Sequence, residues 1–299
     1  MKAKNVNMDS SRQEITENID GFPISCYRSH LSSETYDYID WHWHLEFQLC
    51  LTQEGNVLWN VGEEKFIVPE GEGIFINTQR VHMASAFRCE KASFFCVDFP
   101  PDYLSPERKG KLYEKHIRPV MNNSRLQGLR IDDALTKGKE VLEILEEMAR
   151  QFEDVQDDKG REFLLAGEVL QIWYLLQQEL PTNTESGNEA LDERFRRLLM
   201  YMQNHYSEVI TLDELATHVG LSRSECCRYF KKRTGRTLMD YLTQYRLHKS
   251  MEELRQKDKS ISQIAQDCGF QSQSYYTKRF RELTGKTPGQ FRKRRLEKP

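Results

Sequence analysis

No apolar run in this sequence approaches the ~18 residues that a bilayer-crossing helix needs, so a helical membrane span is excluded. The opening stretch, MKAKNVNMDSSRQE, lacks an apolar segment after its lysines. It does not read as a secretory signal, and a cytoplasmic protein with no membrane partner is expected. The seven cysteines are odd in number, and none forms a C-x-x-C pair. A disulfide framework and a zinc finger are both disfavoured, and reduced thiols are expected.

Net charge is also nearly absent, at −3, but that average conceals an imbalance. Residues 190–299 carry 23 Lys and Arg against 13 Asp and Glu, a surplus of ten positive charges. The preceding part carries a surplus of thirteen negative ones. A basic module that reads a polyanion, joined to an acidic module with another task, fits this division. A length of 299 residues allows one to three domains. The stretch PTNTESGNE (181–189) lies where the charge changes sign and has the composition of a linker.

The most informative stretch is 260–295. Ile261, Ile264 and Ala265 form an apolar stripe at helical spacing, and Ser260 with Gln263 forms the pattern of a capping box. Gly269 can end that helix in a left-handed turn, and Phe270 is placed to plug the corner. Ser272 is a fitting N-cap for a second helix, with Tyr276 and Phe280 inward. Gln273, Ser274, Thr277, Lys278 and Arg281 are left outward, with groups suited to base edges and phosphates. Residues 211–235 anticipate this arrangement. Thr211/Glu214 and Ser222/Glu225 are capping boxes, Gly220 turns, Leu221 plugs, and Tyr229 and Phe230 face inward. Gly220 and Gly269 stand 49 positions apart in equivalent roles, an internal duplication. The helix expected between the units, 241–255, is about 15 residues or ~22 Å long. That length can set two reading helices near one DNA turn, ~34 Å, apart.

The string A-x-x-x-G-F-x-S-x-S-Y-Y-x-x-x-F-x-x-x-x-G-x-T-P-x-x-x-R, from Ala265 to Arg292, resembles the signature of the AraC/XylS family of transcription regulators. The resemblance implies a double helix-turn-helix that binds double-stranded DNA, working as a homodimer with RNA polymerase, and more often activating than repressing. It assigns DNA contacts to Arg223, Ser224, Cys227, Arg228 and Lys231 in the first unit. In the second it assigns them to Gln273, Ser274, Thr277, Lys278 and Arg281.

Before the linker the pattern is different. Candidate strands at 22–30, 45–52, 56–61, 65–68, 73–77 and 92–99 are separated by turns such as Gln53-Glu54-Gly55, which suggests an all-β barrel or sandwich. Residues 42–55 and 68–82 resemble the two halves of a cupin motif. His42, His44 and His82 match its metal-binding histidines, but Gln48 stands where a Glu ligand is usual, and an amide is a poor ligand. Neither metal nor cofactor is therefore expected. His42, His44, Glu46, Gln48, Trp59, Arg80 and His82 are instead candidates to line a pocket for a polar organic effector such as a sugar. Val141, Leu145, Met148 and Phe152, then Leu165, Val169, Ile172 and Leu176, mark two amphipathic helices. They resemble the pair through which the family dimerises. Residues 103–130 are not assigned.

The expectation is a multidomain α+β protein: a cupin-like barrel over 1–130 and a helical dimerisation region over 131–180. The linker over 181–189 then leads to an all-α double helix-turn-helix over 190–299. No catalytic residue is assigned. The rival readings are a metal-dependent cupin enzyme with a DNA-binding tail and a regulator whose barrel is only a dimerisation scaffold.

Overall fold

A computed structural model describes residues 22–33, 37–107, 110–123, 125–153, 160–180, 189–254 and 259–296. The polar N-terminus and linker positions 181–188 lie outside them. The chain divides into two compact units, Met1–Asp192 and Glu193–Pro299.

The strands of the first unit, among the described residues, are β1 (Ser25–Ser32), β2 (Ile39–His42), β3 (Phe47–Glu54), β4 (Asn56–Val61), β5 (Glu64–Pro69), β6 (Gly73–Ile76), β7 (His82–Ala86), β8 (Lys91–Phe99) and β9 (Gly128–Ile131). They form two antiparallel sheets, ordered β1-β8-β3-β6-β9 and β2-β7-β4-β5. Side chains alternate along a strand. In β3, Phe47, Leu49 and Leu51 therefore enter one core while Cys50 enters another. In β8, Phe95, Val97 and Phe99 oppose Phe94 and Cys96 in the same way. One core lies between the sheets. The other lies under the helices α1 (Pro101–Leu104), α2 (Arg118–Met121), α3 (Gly138–Glu153) and α4 (Arg161–Leu176).

The expected helical stripes are buried on that second core. Val141, Leu145, Met148, Val169 and Ile172 have no exposed surface, and Leu176 has almost none. The Trp173 ring stacks on Phe47 at 4.8 Å. Each such side chain contributes ~1.5–3 kcal/mol by leaving water. What remains apolar and exposed on α4 is the opposite face. Phe163 is 85% exposed, Tyr174 67%, Leu170 48% and Leu164 46%.

Sequence patterning did not mark β2, β7 or β9. These strands are only four or five residues long, and β7 (HMASA) has no clean alternation. The unassigned segment after residue 103 forms a π-helical turn, Tyr113–Ile117, running on into α2, and then β9. Its loop is pinned from below. Asn77 Nδ2 donates to the carbonyls of Val120 (2.9 Å) and Leu126 (3.1 Å).

The second unit contains α5 (Glu189–Asn204), which begins just before the boundary, and α6 (Leu212–His218), α7 (Arg223–Thr234), α8 (Leu238–Glu253), α9 (Ile261–Asp267), α10 (Gln273–Thr284) and α11 (Pro288–Leu296). The pairs α6–α7 and α9–α10 are helix-turn-helix units. Both first helices end in the same motif: Leu221 N–H bonds to Ala216 O, and Phe270 N–H bonds to Ala265 O. Gly220 (φ 66°) and Gly269 (φ 81°) occupy the left-handed position before the plug. The capping boxes at Thr211/Glu214 and Ser222/Glu225 are both closed. The box expected at Ser260 is only half formed, because the Gln263 side chain turns to Asp267 at 2.7 Å.

Between the units, α8 has sixteen residues and spans ~24 Å. It is buried on several sides through Leu238, Tyr241, Leu242, Tyr245, Leu247 and Met251. Arg246 of α8 donates to the carbonyls of Tyr206 and Glu208, both at 2.6 Å, binding α8 to the turn after α5.

Gly269 rests on that junction. A Cβ there would lie 2.4 Å from Tyr206 O and 2.9 Å from Arg246 Nε, whereas one at Gly220 would meet nothing. Gly220→Ala should cost the left-handed strain alone, ~1 kcal/mol. Gly269→Ala should lose at least ~2 kcal/mol more through overpacking. Denaturant unfolding followed by circular dichroism decides this; equal losses would mean that the contact yields freely.

Burial, with Arg236 and Lys249 nearby, pushes the His248 imidazole down to about 3. The unfolded chain takes up that proton near pH 6.5 and the folded one does not. Stability should therefore fall as pH drops below about 6.5, by at most ~1.4 kcal/mol per pH unit. His248→Gln should flatten that part of the stability–pH curve; an unchanged slope would assign it to other groups.

Candidate DNA-reading face and sensor interior

The helices α7 and α10 present the same burial pattern, residue for residue, across 222–235 and 272–285. This sets Arg223 against Gln273, Ser224 against Ser274, Cys227 against Thr277, Arg228 against Lys278 and Lys231 against Arg281. Cys226 aligns with Tyr276, and both are fully buried. All ten expected DNA contacts lie on the outer side: Cys227 and Thr277 are half-buried and the other eight are exposed. On α10 the five expected residues line one open groove, together with Glu282 and Thr287, which the sequence did not single out.

Basic side chains on these helices divide into two groups. Arg233 packs over the Phe195 and Tyr229 rings at 5.3 and 5.2 Å, and Arg279 pairs with Glu282 and Asp240. Arg228, Lys231, Lys278 and Arg281 form no ion pair among the described residues. Arg223 meets Asp213 at 3.7 Å, but both are largely exposed, and such a pair is worth under ~1 kcal/mol. It yields easily to a phosphate.

The sensor interior lies between the two sheets. In β2 a bulge makes Asp40 and Trp41 oppose the single residue Met83, so that Ile39 pairs with Ala84 and His42 with His82. The extra residue turns His42 to the same inner face as His82. His44, two residues further on, joins them. The ring centroids lie 4.1 Å (His42–His82), 4.9 Å (His44–His82) and 5.9 Å (His42–His44) apart. All three are buried, at 3%, 2% and 0% exposure for His42, His44 and His82.

Each imidazole is held in the same way. His42 Nδ1 faces Asp40 O (2.8 Å), His44 Nδ1 faces Glu46 O (3.1 Å), and His82 Nδ1 faces Arg80 O (2.8 Å). A carbonyl can only accept, so Nδ1 carries the hydrogen and Nε2 the lone pair. Burial, with His42 and His44 beside it, holds the His82 imidazole well below its ordinary range and therefore neutral.

The other candidate ligand residues separate. Gln48 points inward and donates to the Tyr27 hydroxyl at 3.0 Å. Trp59 lies 6.2 Å from His82 and edge-on to Phe94 at 5.0 Å. Glu46 is partly exposed, its carboxylate 3.8 Å from His44 Nδ1. Arg80 is spent on structure, its guanidinium bonding to the carbonyls of Leu126 (3.3 Å) and Asn123 (3.0 Å). Asp98, buried at 1% exposure and paired across strands with Gln48, shares the interior and was not singled out from the sequence. Gln48 Oε1, Trp59 Nε1 and His82 Nε2 are buried with no hydrogen-bond partner among the described residues. Buried polar atoms are seldom left so, and these mark where a ligand can bond.

Two helix-turn-helix units following a two-sheet sensor define a ligand-responsive transcription regulator. Residues 23–172 match the AraC-like ligand binding domain, and residues 215–294 match a helix-turn-helix domain. The chain belongs to the AraC family: its C-terminal unit binds DNA and its N-terminal unit a small-molecule effector. It is 28% identical over 292 residues to the HTH-type transcriptional regulator YdeC of Bacillus subtilis, covering 97% of this chain and 99% of that one. It is 32% identical over 109 residues to the HTH-type transcriptional activator RhaS of Escherichia fergusonii, covering 36% and 39%. Among solved structures, ToxT of Vibrio cholerae O395 matches with a TM-score of 0.43 and 12% identity over 90% of this chain and 97% of that one. Among the described residues no helix is long and apolar enough to cross a membrane.

Lys231→Ala and Arg281→Ala should each weaken DNA binding on any sequence and reduce the slope of log K against log salt by ~1. Gln273→Ala should instead relax discrimination at one base position, worth ~1–3 kcal/mol. Competition binding at several salt concentrations separates the two; an unchanged slope would remove Lys231 and Arg281 from the phosphate contacts.

Proposed function

We propose that this regulator is a cytoplasmic transcription activator, not an enzyme, which works as a homodimer with RNA polymerase. Its effector is a polar organic molecule such as a sugar, held between the two sheets. The observation that carries the effector reading is the set of partnerless polar atoms on Gln48, Trp59 and His82 among apolar walls. A hydroxyl-rich ligand would satisfy the Trp59 donor and the Gln48 and His82 acceptors there. Activation is supported by the RhaS relatives, which are named activators.

Dimerisation is supported by the outer face of α4. Phe163, Leu170 and Tyr174 fall at i, i+7 and i+11, with Gly167 between them, where a Cβ would meet nothing. The face runs opposite to the stripes first marked for this role, which are buried on the sheet.

Thermal unfolding against a panel of sugars and small acids tests the effector. A true effector should raise stability by ~2.7 kcal/mol at a hundredfold excess over Kd and should shift DNA affinity. A panel that changes neither would favour a sensor that serves only as a scaffold. Phe163→Glu with Tyr174→Glu should halve the sedimenting mass with DNA-unit unfolding unchanged; an unaltered mass would place the dimer contact elsewhere.

A further inference from the structure

The register of β3 against β8 sets Cys50 directly opposite Cys96. All seven cysteines are reduced, and these two share the core between the sheets, at 1% and 0% exposure. How closely the pair stands depends on which way its backbone groups point. Thr52 N–H donates to Glu72 O (2.9 Å), on the β6 side of β3, and alternation sends the N–H and C=O of Cys50 the same way. Ser33 N–H donates to Glu90 O (2.9 Å), on the β1 side of β8, and the same alternation sends those of Cys96 towards β1. Cys50 and Cys96 therefore form a non-hydrogen-bonded pair of the β3–β8 ladder. Such pairs bring their Cα atoms to ~4.5 Å, within the ~4.4–6.8 Å that a disulfide spans. The side chains already meet: the Cys96 thiol is hydrogen-bonded to Cys50 and to Tyr27.

We propose that Cys50 and Cys96 are a peroxide-sensitive dithiol, which a hydroperoxide oxidises to a cross-strand disulfide. One sulfur, as thiolate, attacks the O–O bond, releases an alcohol and becomes a sulfenic acid. The other sulfur attacks that sulfenic acid, forms the S–S bond and expels water. Two thiols and one hydroperoxide thus give one disulfide, one alcohol and one water, and two electrons pass from sulfur to oxygen. With hydrogen peroxide the alcohol is a second water. Both sulfurs lie in an apolar core, so the oxidant must be small and uncharged. Burial also pushes the Cys96 thiol well up, which slows attack and keeps the pair reduced until oxidant accumulates. Disulfides inside cells are mostly of this transient, sensing kind. One chain of contacts carries the change to the interior wall. Gln48 Nε2 donates to the Tyr27 hydroxyl at 3.0 Å, and Tyr27 bonds in turn to Cys96. Closing the disulfide removes both S–H groups from that chain. The site stands on strand register and does not depend on the identity of an organic effector.

The test uses the full chain, reduced, desalted and exposed to hydrogen peroxide, with catalase then removing the excess. After thiol blocking and digestion, mass spectrometry should find the Cys50 and Cys96 peptides joined and two hydrogens lighter, and dithiothreitol should separate them. Cys50→Ser and Cys96→Ser should each abolish the joined pair and leave the remaining sulfur as a sulfenic acid that dimedone traps. Circular dichroism checks the fold of both variants, and the wild-type linkage decides the matter even where a variant fails to fold. Cys89→Ser, outside the pair, should leave the linkage intact. Recovery of Cys50 and Cys96 as thiols at doses that oxidise the half-buried Cys89 and Cys227 overturns the proposal, as does their linkage to other cysteines. DNA binding by the same samples is read separately, so failure of the dithiol leaves the regulator reading intact.

Discussion

The constraint on which the sensor depends is burial of both faces of its central strands. Over Phe47–Thr52 and Ala92–Phe99, β3 and β8 are buried throughout, so successive residues there alternate between the helix-covered core and the space between the sheets. Phe47, Leu49 and Leu51 hold α3 and α4 in place, while Gln48 and Cys50 face the interior. A one-residue slip would exchange the two sets. It would drive phenylalanine rings among the histidines and an amide under the helices. The interior between the sheets and the helical cover are thus two consequences of one strand register.

A similar division of labour governs the second unit. The residues that hold α7 and α10 in place, Cys226 and Phe230, Tyr276 and Phe280, are fully buried. Of the ten expected reading residues, eight are exposed and two are half-buried. Two reading helices of one shape can therefore present different chemistry, Arg223 against Gln273 and Arg228 against Lys278. The turn between helices absorbs one extra residue in the second unit, which is why the spacing is 49 for Gly220 and Gly269 but 50 for the helices that follow. The buried α8, tied by Arg246 to the turn after α5, keeps the pair at a fixed separation.

The second unit was legible in the sequence almost throughout, because its signals are local: capping serines, left-handed glycines and apolar residues at helical spacing. The one local misreading, the box at Ser260, arose because Asp267 offers Gln263 a competing partner one turn along. The sensor was legible only in its long strands. β2, β7 and β9 are set by pairing with distant partners, and the bulge that aims His42 leaves no signature in composition. Arg80 shows the same limit. Two residues before His82 it reads as a ligand residue, but its guanidinium bonds to a loop more than forty residues later. The helical stripes were found correctly, but which side of α4 remained uncovered followed only from the sheet beneath it.

The bulge in β2 has a bearing on comparisons within the family. Asp40 and Trp41 together span one position of the partner strand. A relative lacking one of them could keep every histidine in its sequence and still direct the first of them to solvent. Inheritance of this interior is therefore a matter of strand length as much as of residue identity, and a single deletion could silence it while the motif still matched.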